Sequence, residues 1–272
     1  MKHLNVAKFA VLVFLTWLIS QGVAGQQNPV LPQGLQRDER ALGILNKALT
    51  AAGWRVAPGT VPSFRASGTI TYFGADGQIS GPATILGRGA HQFRLNAELP
   101  QGSRSLLLNG RRSKLQEGTG RLEELTHLNP VNMGILTLPY PGLAAVLDDP
   151  LAFITYVGTS EIAGRQVHHM HTRRRLLLPL EPGGRNVRVV TVDYFVDAQT
   201  NLVLRVADTT HPVDTSWKDY PQEIDYSNYE EMGGVAVPTL VSEKFMGQPV
   251  WTLHLNSMNF NTGLTGREFN PD

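Results

Sequence analysis

Between Gln92 and Leu99 every second side chain is apolar. Phe93, Leu95, Ala97 and Leu99 alternate with Gln92, Arg94, Asn96 and Glu98. Successive side chains of a strand point to opposite faces, so this pattern predicts a strand buried on one side and wetted on the other. The same period returns in Ser67–Tyr72. It returns again in Val250–Asn256, where Trp251, Leu253 and Leu255 share one face and Thr252, His254 and Asn256 the other. Turn chemistry separates the runs at Ala75-Asp76-Gly77 and at Asn109-Gly110, the second a strong hairpin signal. Further strands are expected at Ser105–Leu108, Arg112–Gln116, Phe153–Val157, Gln166–Met170, Val187–Val196, Leu202–Val206 and Val235–Phe245. Strands at regular spacing joined by turns predict a large antiparallel sheet that curls.

Two regions break the period of two. From Leu35 to Trp54 the apolar residues Leu35, Leu42, Leu45, Leu49 and Ala52, with Ala41 and Ile44 beside them, recur at helical spacing. Gly53 stands where a helix C-cap belongs. In the middle, Gly120–Leu128, Val131–Leu138 and Pro141–Leu147 read as short helices punctuated by Pro130, Pro139 and Pro141. This apolar insertion, from about 131 to 149, is expected to act as a lid over the sheet.

The first residues read as an export signal. Lys2 and Lys8 precede the apolar run Phe9–Ile19, and Val23-Ala24-Gly25 offers a small-residue exit. The run is short for a bilayer span, which takes roughly 20 apolar residues. Residues 1–25 are therefore expected to be a cleaved signal peptide, 26–34 a flexible mature N-terminus, and 35–272 a single domain. The chain has no cysteine. That predicts neither disulfides nor acylation at a cysteine after the signal, and the fold must stand on its hydrophobic core. Lys+Arg number 24 against 23 Asp+Glu, a near-neutral balance that argues against nucleic acid as the main partner.

Candidate chemistry is sparse. His168-His169-Met170-His171 places His169 and His171 on one face of a strand, and such a pair can chelate a metal. A working site needs a third ligand, and His127, His211 and His254 are remote in sequence. The plainer reading is a strand whose polar face carries two imidazoles. Arg173-Arg174-Arg175, with Arg165, Arg185 and Arg188 near, is a basic cluster that offers contact to an anionic membrane surface. Here the plainer reading is a solvated strand end or loop, continued by the apolar Leu176–Leu180. There is no Gly-x-Ser-x-Gly, no Walker loop and no Gly-x-Gly-x-x-Gly. The acidic neighbours Asp148-Asp149, Glu123-Glu124 and Glu230-Glu231 diverge from one another on any regular element. The residues thus assign no catalytic, cofactor-binding or metal position and call for no cofactor.

The stretch 187–241 carries a resemblance. A strand ends in Val196-Asp197 and leaves through Thr200-Asn201-Leu202-Val203-Leu204-Arg205. Tyr226, Tyr229, Gly233-Gly234-Val235, Val237-Pro238 and two more strands follow. This resembles the LolA/LolB-like periplasmic lipoprotein-carrier superfamily. Tyr156-Val157-Gly158 with Ile162–His168 is similar to its central hairpin, and Asn259–Leu264 with Phe269 and Pro271 to its tail. The resemblance implies a mainly β fold with accessory helices: a strongly curved antiparallel sheet, an incomplete barrel, with helices in its concave side. It also implies an apolar cavity that shelters acyl chains. The chain is longer than the compact carriers, chiefly over 100–185, and matches none of their lipoprotein-binding residues, so no site residue is carried over. The expectation is a periplasmic or secreted, non-enzymatic protein that binds an acyl chain, a lipoprotein or another apolar ligand. The rival is a structural or protein-binding module on the same fold. A metal-dependent enzyme at His169 and His171 is a weak third.

Overall fold

A computed structural model of the protein describes residues 37–54, 62–75, 77–110, 112–118, 120, 123–125, 137–179, 185–210 and 220–270. The expected signal peptide over 1–25, the expected flexible N-terminus over 26–34, and the 131–136 part of the expected lid lie outside the described residues. So do Asp76, His127 and His211.

The chain opens with helix α1 (Glu39–Ala51) and continues through β1 (Ser63–Gly74), β2 (Gly77–Arg88), β3 (Gln92–Leu99), β4 (Gly102–Asn109), β5 (Arg112–Glu117) and β6 (Glu123–Leu125). Helix α2 (Tyr140–Asp148) precedes β7 (Phe153–Ile162), β8 (Arg165–Pro179), β9 (Arg185–Asp197) and β10 (Val203–Thr210). Then come β11 (Tyr220–Met232), β12 (Val235–Phe245), β13 (Gln248–Phe260) and a short 3-10 turn at Arg267–Phe269. All thirteen strands belong to one antiparallel sheet, in the order β6-β5-β4-β3-β2-β1-β13-β12-β11-β10-β9-β8-β7. The first and last strands meet in the middle. From β1 the chain meanders out to one edge, crosses through α2 to the other edge, and meanders back to β13. The edges β6 and β7 are not paired, so the sheet is an incomplete barrel.

The joint between β1 and β13 needs a glycine. Their register shifts between Ser67 and Gly68, and a Cβ on Gly68 would run into the carbonyl oxygen of His254. The strands on either side keep the expected alternation. Phe93, Leu95 and Ala97 are buried, as are Trp251, Leu253 and Leu255, while His254 and Asn256 are exposed.

Helix α1 follows its sequence signals. Asp38 caps it, accepting hydrogen bonds from the amides of Arg40 at 2.8 Å and Ala41 at 3.1 Å. Ala41, Ile44, Leu45 and Ala48 face the core. At its end Gly53 takes φ +67°, Gly53 N–H donates to Thr50 at 3.0 Å, and Trp54 N–H donates to Leu49 at 2.9 Å. That is a Schellman ending. Arg37, just before the helix, donates from its guanidinium to the carbonyls of Leu147 at 2.8 Å and Asp149 at 2.7 Å. It thus satisfies carbonyls that the end of α2 leaves without helical partners. Leu138, Tyr140, Leu143 and Val146 bury the other side of this pair.

Two expectations are corrected. Within the expected helix Gly120–Leu128, the described Glu123–Leu125 is a strand and pairs as β6 with Ser113–Leu115 of β5. An unpaired strand edge presents amides and carbonyls in register, and three residues suffice to meet them. β11 runs 13 residues as a strand, although no strand is predicted there from sequence. Only Ile224 and Tyr226 of it are buried, and Asn228 takes φ +52° within it, so its alternation is faint.

Candidate functional site

The inner face of the sheet is the surface against which the helices pack, and cross-strand register lines up what it presents. One rung runs Met170, Tyr194, Val206, Ile224, Glu243, Trp251, Tyr72 across seven neighbouring strands. All but Glu243 are apolar or aromatic. The adjacent rung holds Thr172, Val192, Asp208, Gln222 and Phe245. Helices α1 and α2 pack on each other, and α1 packs on β7 and β9. The Tyr140 hydroxyl donates to the Ala236 carbonyl at 3.0 Å, which ties α2 to β12. Across β1–β4 the same face continues with buried Ile70, Ile85, Leu95 and Leu108. These residues share one buried cluster with those of α1 and α2.

A polar strip crosses that surface. Gln222 donates its amide to Glu243 Oε1 at 2.6 Å, and the Trp251 indole also bonds this carboxyl. Burial raises the Glu243 pKa against those bonds. Asp208 stands opposite Gln222. It is 8% exposed, and among the described residues neither of its oxygens has a hydrogen-bond partner. Burial, then the nearby charges of Glu243 and Asp193, push its pKa up to about 8. The basic residues of this face are engaged elsewhere. Arg104 pairs with Glu117 at 3.3 Å and lies over the Tyr72 ring at 4.4 Å, while Arg174 pairs with Asp149 at 3.2 Å. No sequence motif marked this strip. The one available signal was an acid at every-second-residue spacing from Val206, a buried position.

His169 and His171 project from the opposite, outer face. His169 Nε2 and His171 Nδ1 both meet Asp193 Oδ1, at 2.8 and 2.9 Å, and the His169 ring stacks on Phe195 at 4.4 Å. The hydrogen bond with Asp193 raises the His171 pKa. Burial pushes Asp193 upward, but its bonds to His171 and His169 outweigh this and hold it low. His168 turns the other way, to the Tyr156 hydroxyl at 3.3 Å. His254 is exposed on β13, opposite Thr69 and Leu240, and is not brought to the pair. Among the described residues no group of three His, Cys, Asp or Glu side chains could hold a metal ion. The two imidazoles are cross-strand partners of one carboxylate. Sequence reading missed Asp193, whose signal was an acid inside the apolar run Val187–Val196.

The basic cluster is a strand, not a loop. Arg173–Pro179 pairs with Arg185–Thr191 along the β8–β9 hairpin. Arg165 bonds Asp197 at 2.9 Å, and the Arg173 guanidinium lies over Phe153 at 5.0 Å. A cleft of about 120 Å³ lies by the end of α1, lined by Gly53, Trp54, Val235, Phe260 and Asn261 among others. It falls below the roughly 300 Å³ from which ligand pockets start.

No protein-family model and no curated protein matches this sequence. Solved structures do match its shape. A LolA superfamily protein from Nitrosomonas europaea superposes with a TM-score of 0.50 at 12% identity, covering 84% of this chain and 98% of that one. A DUF1329 family protein from Desulfovibrio piger superposes at 0.51 and 8% identity, covering 86% and 98%. At such identities the likeness speaks of fold. The chain has the fold of the LolA superfamily.

Proposed function

We propose that this chain is an exported, non-enzymatic envelope protein that binds an acyl chain, a lipoprotein or another apolar ligand on the concave face of its sheet. One observation carries the reading: the inner face of the sheet, against which α1 and α2 pack, is apolar from Met170 and Tyr194 through Trp251 to Ile70, Ile85, Leu95 and Leu108. A curved apolar surface roofed by separate helices is the kind of cleft that accepts apolar ligands. The LolA name of a structural neighbour points the same way, although a shared fold does not fix a function. The reading includes a signal peptide over 1–25 and one domain over 35–272. Protein purified from the exported fraction should begin at Gln26, release lipid on extraction, and take up a fluorescent acyl probe. Protein that is consistently empty and takes up no probe overturns the reading.

A structural or protein-binding role has one specific support. β7 is an edge strand, met among the described residues only by Arg37–Asp38 at Ile154, and Val157 on it is 57% exposed. An open edge is a template for pairing with another chain. A Val157→Lys variant that keeps probe uptake but loses a co-purifying protein would favour that role.

A further inference from the structure

Asp208 is costly where it stands. A carboxyl withdrawn from water without hydrogen bonds loses its hydration and recovers nothing. Among the described residues no other carboxyl group is buried with both oxygens unpartnered. It points to the inner face, on a rung with the buried Val192 and two residues from the buried Val206. A second acid, Glu243, lies one strand beyond Gln222, which bonds it at 2.6 Å. Of the cations on neighbouring elements, Arg104 of β4 pairs with Glu117 and acts on Glu243 by its charge, and Arg174 of β8 pairs with Asp149, so neither bonds Asp208. Asp193, on the far side of the sheet, adds a further negative charge. The strip therefore has spare acceptors, set in an apolar and aromatic surround of Val192, Tyr194, Phe245 and Trp251.

We propose that Asp208, with Gln222 and Glu243 beside it, is the head-group site for an amphiphile bearing a primary ammonium group, whose hydrocarbon chain lies along the adjacent apolar rungs. This rests on the carrier reading above and adds the class of ligand. An ammonium supplies three N–H donors, enough for the two orphaned oxygens of Asp208 and one acceptor of the Gln222–Glu243 pair. Anionic head groups meet like charge here. A quaternary head has no donor to offer. Before binding, the buried carboxyl of Asp208 carries a proton at neutral pH, because burial and the charges of Glu243 and Asp193 hold its pKa at about 8. On binding, that proton leaves to solvent and the ammonium N–H donates to the carboxylate in its place. No covalent bond forms or breaks other than this O–H.

The test is titration calorimetry with dodecylamine and N-dodecylacetamide, two probes with one chain and different heads. The wild-type protein should bind the amine about tenfold more tightly or better, the size of a buried charge-assisted hydrogen bond. It should release a proton on doing so, read as a heat that differs between buffers of different ionisation enthalpy. In Asp208→Asn the preference should fall to near one and the proton release should vanish. Lysophosphatidylethanolamine against lysophosphatidylcholine separates the two sources of such a head. A preference there as well identifies an aminophospholipid; a preference for dodecylamine alone identifies a phosphate-free amine. Equal wild-type affinity for dodecylamine and N-dodecylacetamide overturns the proposal and leaves the carrier reading standing. So does a preference that survives in Asp208→Asn. Failure of both dodecyl probes and of the fluorescent acyl probe overturns both readings.

Discussion

Asp193 and Asp208 lie on adjacent strands and face opposite sides of one sheet, and their surroundings drive them apart. Asp193 is held ionised by two imidazoles, whereas Asp208 is buried without a partner among the described residues. The consequences for stability have opposite signs. His171 is raised above its ordinary 6.5 and Asp193 lowered below its ordinary 3.8. The contribution of Asp193 is therefore complete above about pH 4, and that of His171 is complete below about pH 6.5 and lost as pH rises through its folded value. Asp193→Asn should cost about 1 kcal/mol between those limits, since all three side chains are partly exposed, and less at pH 8. Urea melts at pH 5.5 and 8 measure this; an equal loss at both sinks the argument. For Asp208, the native state holds a proton between pH 4 and 8 that the unfolded chain has released, so stability falls as pH rises through that window. Asp208→Asn should remove the decline, gaining about 1–3 kcal/mol near pH 8 and nothing near pH 4. Thermal melts across the range would refute this if the two proteins ran parallel. Neither acid belongs to a motif. The alternation could place each on a face, but only cross-strand register supplied the neighbours.

Elements were legible to the extent that they obey one local rule throughout. Helix α1 combines a period and a terminal glycine, and it formed within its expected bounds. α2 formed over the expected Pro141–Leu147 with one residue more at either end. β6 and β11 were hidden because their strand character comes from the neighbour that pairs with them rather than from their own alternation. Arg37 shows the same dependence. It precedes one helix and satisfies the end of another more than a hundred residues away. Arg37→Ala should destabilise the domain by about 2 kcal/mol. Arg37→Lys should recover little, because only a guanidinium fork reaches both carbonyls. Denaturant melts of the pair test this, and full recovery by lysine would contradict it.

The whole sheet depends on its middle. With β1 against β13, the two meanders that build either half are stitched by one pairing, and Gly68 allows the backbones to approach there. Gly68→Val should cost about 3 kcal/mol or more, because a backbone carbonyl rather than a flexible side chain stands in the way. Hydrogen exchange should show protection lost first in Phe64–Tyr72 and Trp251–Phe260; loss confined to the β6 edge would argue against the joint. From sequence alone, the alternating runs determined that the chain builds a large antiparallel sheet with helices against it, because which face a side chain takes is a property of the backbone's own period. The repeat of apolar residues did the same for α1. Which strands lie side by side, that first meets last, that Asp193 gathers two histidines and that Asp208 is buried without a partner among the described residues were decided by the tertiary structure. Those facts are relations between residues far apart in the chain, and burial and cross-strand neighbours exist only once the sheet has closed over its helices.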